Sequence, residues 1–447
     1  MESTDIASLA AELSIARPVR QIGRVCAVEG NLVRARGLGT ICSIGDLLRV
    51  WMRDGRILTG EVIQLHGEEM TMLPDNSPDG VSIGDRVALR AQTGIAPSDA
   101  WIGRVIDPYG NPLDGAPLMR GPHTRALKAS PPPPAQRRAL GGRIETGMTA
   151  FNTLLPIVRG QRLGLFAGSG VGKSSLMGNF AREMQADVVV IALIGERGRE
   201  LREFVENVLG KEGLAQSVVI AATSDQSPLV RRRCAWAAMS VAEHFRDQGL
   251  HVLFLADSIT RFAEAHREVA VAAGELPALR GYPPSTSHLI MSLCERAGPG
   301  GTVHGDITAV FSVLVAGSDM DEPIADILRG VLDGHVVLDR QIAERGRFPA
   351  VDLLRSVSRS LPAAATDKEN ALISETRRLI GAYEQSATMI RAGLYAEGTD
   401  PALDSAIRAW PELDSFMGEL GSVSIENAFS RLALILRRAG STPAKSG

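Results

Sequence analysis

One stretch near the middle of the chain constrains the fold more than any other. It runs from Gln161 to Leu176 and reads QRLGLFAGSGVGKSSL, an apolar run followed by a glycine-rich loop and the start of a predicted helix. Glycines let backbone N–H groups turn inward around phosphate oxygens, because no Cβ blocks the approach. A strand, such a loop ending in Lys-Ser and a helix form a phosphate-binding loop. The stretch therefore predicts a nucleoside triphosphate site in an α/β fold.

The residues of this loop have separate predicted roles. Lys173 would place its ammonium group on the β- and γ-phosphates, and the Ser174 hydroxyl would bind Mg²⁺. The N-terminus of the following helix adds roughly half a positive charge directed at the same place. Ala167 stands where the first glycine is usual, and its small side chain suits the loop. The residues predicted to contact the nucleoside triphosphate are Gly168, Ser169, Gly170, Val171, Gly172, Lys173, Ser174 and Ser175.

Length and composition describe a globular chain of several domains. The 447 residues are 45% apolar and 22% charged, with a formal net charge of −3. The length predicts about three domains, and the balanced charge gives no footprint for nucleic acid or a membrane surface. The four cysteines are widely scattered, so we interpret them as small buried side chains rather than ligands or disulfides. Glu2, Asp5 and Glu12 argue against a signal peptide, and we expect a cytoplasmic protein.

The N-terminal part of the chain has the pattern of a small β-barrel. Residues 3–16 can form a short amphipathic helix, after which short β-rich runs alternate with Gly and Asp turns up to about Thr93. Several short strands at regular spacing are typical of a small β-barrel or a β-sandwich. An oligonucleotide-binding barrel would stack bases on aromatic side chains, but Trp51 is the only aromatic residue before Ala100. We therefore expect a structural barrel and no nucleic-acid partner.

Repeated strand and helix patterns then predict a doubly wound α/β domain. Residues 94–160, which include the four consecutive prolines Pro131–Pro134, form turn-rich connections before its core and are interpreted as a linker or surface crossing. Asp187–Gly195 and Leu250–Ala256 are near-continuous apolar runs, as expected for strands buried on both faces of a parallel sheet. In such a domain the sites lie at the carboxyl ends of the strands.

Helix signals organise the rest of the chain. Ser227 caps a predicted helix that runs to about Gln248, and the run Arg231–Arg233 within it is interpreted as a solvated face or a subunit contact. Thr366 and Glu369 form a capping box at the start of a C-terminal helical region. The predicted domains are an amphipathic segment at 1–16, a β-barrel at 17–93, a phosphate-loop ATPase domain at 94–360, a helical domain at 361–438 and a disordered tail at 439–447.

Five side chains outside the loop suit the hydrolysis of a phosphoanhydride bond. Asp257 ends a buried apolar run, where a carboxylate supports the Mg²⁺ of such NTPases; the plainer alternative is a turn residue. Glu196 stands at a strand tip, where it can polarise the attacking water. Arg197 and Arg261 can hold phosphate oxygens. The alternative for this pair is a surface salt-bridge cluster. Arg359 can act as an arginine finger, and the sequence leaves open whether it serves its own subunit or the next.

With these residues in place, the chain resembles the catalytic subunits of rotary-type ATPases over nearly its whole length. Within that superfamily it is most similar to the flagellar export ATPases, also called flagellum-specific ATP synthases, through AGLYAEGTDPALDSAI near the C-terminus. The resemblance implies a six-stranded N-terminal barrel, a central RecA-like α/β domain and a C-terminal helical domain. The strings that carry it are AGSGVGKSS, LIGERGRE, LFLADSITRFAEA, LRGYPPS, DEPIADILRGVLDGHVVLDR and FPAVDLLRSVSRSLP.

The resemblance also implies a role for each candidate residue and adds one. Phe348 stands where the family often has Tyr against the adenine ring, so an aromatic face is retained. The implied roles are the phosphate loop for Lys173 and Ser174, the catalytic carboxylate for Glu196, phosphate binding for Arg197 and Arg261, the Mg²⁺-side aspartate for Asp257, and a finger that reaches into the neighbouring subunit's site for Arg359.

The same resemblance implies partners and a place of action. A ring of six identical subunits would hydrolyse ATP with Mg²⁺ and drive the export of flagellar proteins through a type III secretion apparatus. The implied partners are a central stalk protein, a regulatory stator-like protein, export chaperones and cargo. The ring would be peripheral to the inner membrane, at its cytoplasmic face.

Four alternative functions share parts of this pattern. A virulence-type type III secretion ATPase has most of the same strings. An RNA-translocating hexameric terminator ATPase has the same core and a barrel, but the aromatic-poor barrel and the acidic net charge disfavour it. The catalytic subunit of a rotary ATP synthase is disfavoured by the C-terminal segment. A non-catalytic ring subunit would usually lack the carboxylate that Glu196 supplies.

Overall fold

The computed structural model describes residues 21–90, 94–315, 320–421 and 423–440. The predicted amphipathic segment at 1–16 and residues 441–447 of the predicted tail lie outside the described residues. The domain boundaries at 93, 360 and 438 stay predictions, because the chain forms two compact units that each combine separate stretches. The first unit is Met1–Pro132, Val188–Gln248 and Ala256–Arg296, and the second unit is Pro133–Asp187, Gly249–Leu255 and Ala297–Gly447.

The strands are numbered in chain order over the described residues. They are β1 (Gly23–Glu29), β2 (Leu32–Arg36), β3 (Leu47–Trp51), β4 (Ile57–His66), β5 (Glu69–Pro74), β6 (Arg86–Leu89), β7 (Arg104–Ile106), β8 (Arg162–Ala167), β9 (Val188–Glu196), β10 (Ser217–Thr223), β11 (His251–Asp257), β12 (Gly298–Pro299), β13 (Asp306–Leu314), β14 (Gly334–Leu338) and β15 (Val351–Ser358).

The helices are numbered in the same way. They are α1 (Thr149–Asn152), α2 (Lys173–Glu183), α3 (Gly198–Glu203), α4 (Gly210–Ala215), α5 (Pro228–Asp247), α6 (Ile259–Ala272), α7 (Ser285–Arg296), α8 (Pro323–Val331), α9 (Arg340–Glu344), α10 (Asp367–Arg391), α11 (Pro401–Met417) and α12 (Ile425–Arg438). A π-helical turn at Phe204–Leu209 joins α3 to α4, and short 3₁₀ turns occur at Asp99–Trp101, Pro134–Gln136 and Leu279–Gly281.

Strands β1 to β6 of the first unit close into the predicted barrel. Neighbouring strands are antiparallel and follow the order β1-β2-β5-β4-β3-β6. Alternate residues point inward, as the two-residue period of a strand requires. Val33 and Ala35 of β2 and Leu48 and Val50 of β3 are at most 1% exposed. Closure removes the free strand edges, so the barrel predicted from the short, regularly spaced strands is confirmed.

Three parallel strands form the core of the rest of the first unit. Strand β10 pairs with β9 on one side and with β7 on the other, and Val219 stands opposite Ile191 and Val105. The interpretation of the stretch before the prolines as a mere linker is therefore wrong at β7. Three residues are too few for a hydrophobic period to show.

Two arginines of α5 are buried inside the first unit. Arg232 Nη2 lies 2.8 Å from Glu61 Oε1 of the barrel, and the Arg233 guanidinium lies 4.6 Å from the centre of the Tyr109 ring. Both arginines are less than 9% exposed. The interpretation of Arg231–Arg233 as a solvated face is therefore wrong for these two, because their partners come from distant parts of the sequence.

The sheet of the second unit surrounds the strand that precedes the phosphate loop. Strand β8 pairs in parallel with β13 and with β14, and β14 pairs antiparallel with β15. Leu165 of β8 stands opposite Ser312 and Val336 and is fully buried. The loop after β8 therefore leaves from between two parallel strands, at their carboxyl ends.

The C-terminal helices also belong to the second unit. Helix α10 starts at the predicted capping box, in which Thr366 and Glu369 each satisfy the other's backbone N–H. Helices α11 and α12 pack with α10 through buried apolar residues such as Leu379, Leu403 and Leu432. The described helices include none with both the length and the apolar character needed to cross a membrane.

Candidate functional site

The phosphate loop of the second unit has the backbone that its glycines predict. Strand β8 ends at Ala167, and α2 begins at Lys173 with Gly172 as its N-cap residue at φ 87°. Gly170 also has a positive φ of 76°, and a Cβ there would meet no atom within 4 Å. Glycine is thus needed for conformation rather than for space. No side chain caps this helix end, which is the arrangement that binds phosphate oxygens.

The residues predicted to contact ATP lie together in this loop and in the first turn of α2. Val171 is 2% exposed and anchors the loop. Ser174 and Ser175 are exposed and Lys173 is half-buried. The structure therefore presents the polar side chains of the loop to solvent, where a ligand can reach them.

Phe348 lies beside the same loop. A Cβ on Gly172 would lie 3.1 Å from Phe348 Cδ1 and 3.2 Å from its Cε1. The Phe348 side chain belongs to the exposed part of the second unit, at 47% exposure. An accessible aromatic ring next to a phosphate-binding loop can stack on a nucleotide base, as the family resemblance implies for this residue.

Glu196 and Arg261 of the first unit form an ion pair. Glu196 Oε1 lies 3.3 Å from Arg261 Nε, and the two side chains are 12% and 27% exposed. Glu196 is the last residue of β9, where Ala222 pairs with Ile194 and Thr223 pairs with Glu196. Gly195 is therefore the extra residue of a β-bulge, a feature that re-aims the side chain next to it.

The bulge explains why Gly195 precedes the candidate carboxylate. Its φ is 69°, and a Cβ there would lie 3.2 Å from Arg261 Cδ and 3.3 Å from Arg231 Cδ. Sequence reasoning missed this positioning role, although a glycine inside a strand pattern is a known signal for a bulge. Glu196 thus depends on a backbone conformation that favours glycine.

Asp257 and Arg261 come from one strand-to-helix junction. Asp257 is the last residue of β11 and is 3% exposed. Ser258 caps α6 by accepting a hydrogen bond from the backbone N–H of Arg261 at 3.4 Å. The cap fixes the first turn of α6, and with it the start of the Arg261 side chain.

The two remaining candidate arginines lie at the surface. Arg197 Nη1 lies 3.4 Å from Glu200 Oε1, and its side chain is 77% exposed. Arg359 follows β15 in the second unit, is exposed, and donates from Nη2 to the carbonyl oxygen of Arg329 at 2.9 Å. Both guanidinium groups can therefore change partner without crossing a packed core.

The donor chemistry of the candidate residues fits Mg²⁺. The cation prefers oxygen ligands and usually keeps phosphate oxygens and waters beside one or two protein groups. Ser174 offers an exposed hydroxyl in the first turn of α2, and Asp257 offers a carboxylate at a strand end. Among the described residues, no group of three or more His, Cys, Asp or Glu side chains could hold a metal ion by itself.

Comparisons with known families agree with this architecture. The nucleotide-binding domain of the ATP synthase alpha/beta family matches residues 147–358. The C-terminal domain of the type III secretion ATPase EscN matches residues 365–433. The two matches cover the phosphate loop and most of the C-terminal helices.

Curated relatives and solved structures match over almost the whole chain. The flagellum-specific ATP synthase of Caulobacter vibrioides is 42% identical over 96% of this chain and 99% of its own length. The flagellum-specific ATP synthase of Salmonella typhimurium is 42% identical, covering 93% of each chain. The structure of assembled EscN from enteropathogenic E. coli matches with a TM-score of 0.85 and 35% identity, over 93% of this chain and 100% of that one.

Fold and loop geometry define a phosphate-loop nucleotide-binding protein with an N-terminal barrel and a helical C-terminal segment. The chain belongs to the ATP synthase alpha/beta family and, within it, to the flagellum-specific ATP synthases. The fold class and the family resemblance predicted from the sequence are thereby confirmed.

Proposed function

We propose that this protein hydrolyses ATP to ADP and phosphate to drive the export of flagellar proteins through a type III secretion apparatus. The observation that carries the proposal is the phosphate loop with the Phe348 ring beside Gly172, in a chain 42% identical to a flagellum-specific ATP synthase over 96% of its length. The virulence-type EscN is 35% identical, so flagellar duty is favoured.

The residues of the second unit bind the nucleotide. Backbone N–H groups of the loop and the N-terminus of α2 hold the phosphates, and Lys173 neutralises the β- and γ-phosphate charge. The Phe348 ring stacks on the base. Ser174 of this unit, together with Asp257 of the first unit, would hold Mg²⁺, and the bound cation would supply charge neutralisation at the phosphates.

The catalytic residues act on the attacking water and on the charge that develops at phosphate. Glu196 polarises the water as general base, and the ion pair with Arg261 holds its carboxylate in place. Arg197 and Arg261 bind phosphate oxygens. Arg359 stabilises transition-state charge as an arginine finger in the neighbouring subunit's site, which its surface position allows.

The active form is a homo-hexamer at the cytoplasmic face of the inner membrane. Solved relatives include an assembled EscN and EscN in complex with its central stalk EscO. By analogy, this chain would assemble into a ring around a stalk protein. A regulatory stator-like protein, export chaperones and cargo complete the expected partners.

ATP hydrolysis by the purified chain across a range of protein concentrations, with and without single-stranded RNA, tests the proposal. Specific activity should rise steeply with concentration and ignore RNA, because ring assembly completes the sites. Activity that requires RNA would instead indicate the terminator-like translocase, and no activity at any concentration would contradict the ATPase assignment.

A pair of lysine variants controls this experiment. Lys173→Ala should abolish hydrolysis, because the phosphates lose their cation. Lys211→Ala removes an exposed lysine from α4 and should leave activity unchanged. Equal loss in both variants would show that the assay reports folding or assembly rather than the loop.

A further inference from the structure

A short segment of the second unit, residues 345–348, contacts one face of helix α11 and its cap. We refer to it as the bridge segment. Its partners on the helix, Trp410, Asp414 and Gly418, are four residues apart, and such residues share one helix face. The Arg345 guanidinium lies 5.6 Å from the centre of the Trp410 ring, and Arg347 Nε lies 3.1 Å from Asp414 Oδ1. Gly418 lies beside the backbone of Phe348, where a Cβ on Gly418 would be 3.4 Å from the Phe348 carbonyl oxygen.

The middle contact is an ion pair between a buried arginine and a part-buried aspartate. Arg347 is 7% exposed, and its Nη2 donates to the carbonyl oxygen of Val351 at 2.8 Å. Arg347 Nε and Nη1 and Asp414 Oδ1 are buried without a hydrogen-bond partner in the part of the chain that the structure describes, so the 3.1 Å contact between Nε and Oδ1 is an ion pair without hydrogen-bond geometry. Burial lowers the pKa of Arg347 below its ordinary value, and the charge of Asp414 opposes that shift. Because an unpaired buried charge is costly, Asp414, which acts on Arg347 more strongly than Glu384 and Asp352 do, is the main countercharge that keeps Arg347 in this position.

The other end of the bridge segment reaches the phosphate loop. Phe348 directly follows Arg347 in the chain, and its ring lies beside the N-cap residue Gly172 of α2, where a Cβ on Gly172 would be 3.1 Å from Phe348 Cδ1. A continuous series of contacts therefore runs from Asp414 through Arg347 and Phe348 to Gly172. None of these residues except Phe348 and Gly172 lies at the loop itself.

We infer that Asp414 and Arg347 are positioning residues that set the affinity for the base of the nucleotide by holding Phe348 against the phosphate loop. A change at this face of α11 alters the place of the Phe348 ring and leaves the phosphate-binding groups as they are. The inference rests on the proposed function, in which Phe348 stacks on the base of ATP.

The test compares two ligands of the full-length chain by titration calorimetry in the presence of Mg²⁺. ATP has both a base and a triphosphate, whereas inorganic tripolyphosphate has no base. In Asp414→Asn the dissociation constant for ATP should rise about three- to tenfold, a fraction of the stacking contribution of an aromatic ring. The dissociation constant for tripolyphosphate should stay within about twofold, since the loop is untouched.

Matched variants separate positioning from general loosening. Glu412→Gln on the same helix removes only an exposed ion pair with Arg438 at 3.3 Å and should change neither constant. Asp414→Glu keeps the charge and should recover most of the ATP affinity. In hydrolysis assays, Asp414→Asn should raise KM for ATP with kcat nearly unchanged.

A second variant approaches the same contact without removing a charge. Gly418→Ala adds a Cβ 3.3 Å from Arg347 Cγ and 3.4 Å from the Phe348 carbonyl oxygen, so it should weaken ATP binding selectively even if Asp414→Asn does not fold. Gly381→Ala in α10, where a Cβ meets no atom within 4 Å, is its control. Equal weakening of ATP and tripolyphosphate, or no weakening in either variant, would overturn the inference.

Phe348→Ala distinguishes failure of the inference from failure of the proposed base contact. If Phe348→Ala lowers ATP affinity about tenfold while Asp414→Asn and Gly418→Ala do not, the positioning inference alone is wrong. If Phe348→Ala has no effect on ATP binding, the base contact is wrong and the inference falls with it. The Lys173→Ala result is independent of both.

Discussion

The two compact units hold their candidate catalytic side chains in opposite ways. In the first unit, Glu196 and Arg261 are mostly buried and paired with each other at 3.3 Å. In the second unit, Arg359 is exposed and bonds to a backbone carbonyl group, that of Arg329. A paired, part-buried carboxylate is already positioned for its task, whereas an exposed guanidinium is free to serve a ligand outside its own unit.

The difference in burial indicates which subunit each side chain serves. Glu196 depends on its own backbone, because the Gly195 bulge sets its direction. Arg359 lies at the surface after the end of β15, so its proposed role requires a neighbouring subunit that brings a nucleotide to this surface. We therefore expect Glu196 to act within its own subunit and Arg359 to act on the nucleotide of a neighbouring one.

The largest effect is expected for the exposed arginine. Arg359→Ala should lower kcat by about 10³-fold or more, because an arginine finger contributes about 10³–10⁵ in rate. Phosphate release under saturating ATP measures it. Arg355→Ala removes an exposed arginine of β15, the strand that Arg359 follows; its side chain is 39% exposed, and the variant serves as control. A similar loss of kcat in both variants would mean that hydrolysis is sensitive to any change of this surface, and it would contradict a specific role of Arg359 as an arginine finger.

Removal of the proposed general base, Glu196, should have the next largest effect. Glu196→Gln should bind ATP and hydrolyse it about 10²–10⁴-fold more slowly, which is the usual contribution of such a base. ATP binding by calorimetry and single-turnover hydrolysis separate the two steps. Near-normal turnover in this variant would remove Glu196 from the mechanism.

A smaller effect is expected from the backbone that aims Glu196. Gly195→Ala forces a residue with a Cβ to adopt φ 69°, at a cost of about 1–2 kcal/mol, and crowds Arg261. We expect about a tenfold loss of kcat with little change in ATP affinity. Gly198→Ala, three residues on, meets no atom within 4 Å and should retain full activity. If both variants behave alike, the bulge does not position the carboxylate.

The smallest effect is a pH dependence of stability, and it is expected in both units because each contains a buried histidine. Burial, with Arg232 nearby, lowers the pKa of His266 in the first unit to about 4, and burial, with Arg159 nearby, does the same for His251 in the second. The ordinary value is 6.5, so the folded protein favours neutral imidazole. The contribution of these two histidines to the free energy of unfolding is fully present above pH 6.5 and is lost as the pH falls toward 4.

Each histidine should account for about 1–2 kcal/mol of the free energy of unfolding lost between pH 7 and pH 5. Thermal unfolding at both pH values measures this loss as a fall in Tm. His266→Gln and His251→Gln should each make that fall smaller. A fall that is unchanged in both variants would assign the acid sensitivity to other groups.

Local features of the fold could be predicted from the sequence because their signals are local. The six barrel strands, the strand and helix around the phosphate loop, and the capping box at Thr366 all follow from periods and end signals within a few residues. Strand β7 was missed because three residues show no period. The burial of Arg232 and Arg233 was missed because their partners lie more than a hundred residues away in the chain.

The candidate site follows the same division. Loop residues, Glu196 and Asp257 stand at strand ends that apolar runs mark in the sequence. The contact between the bridge segment and Asp414 could not be predicted from the sequence, because no local pattern links residue 347 to residue 414. Roles that depend on packing between distant segments therefore required the structure.

Mixing of two inactive variants tests the central claim that Arg359 completes the site of another subunit. Lys173→Ala lacks a working loop and Arg359→Ala lacks the finger, and we predict that each alone is close to background in phosphate release. Mixed before assembly in equal amounts, they should regain activity, because about a quarter of the interfaces in a random ring pair an intact loop with an intact finger. A mixture that stays at background, while wild-type chains mixed with Lys173→Ala remain active, would contradict the claim.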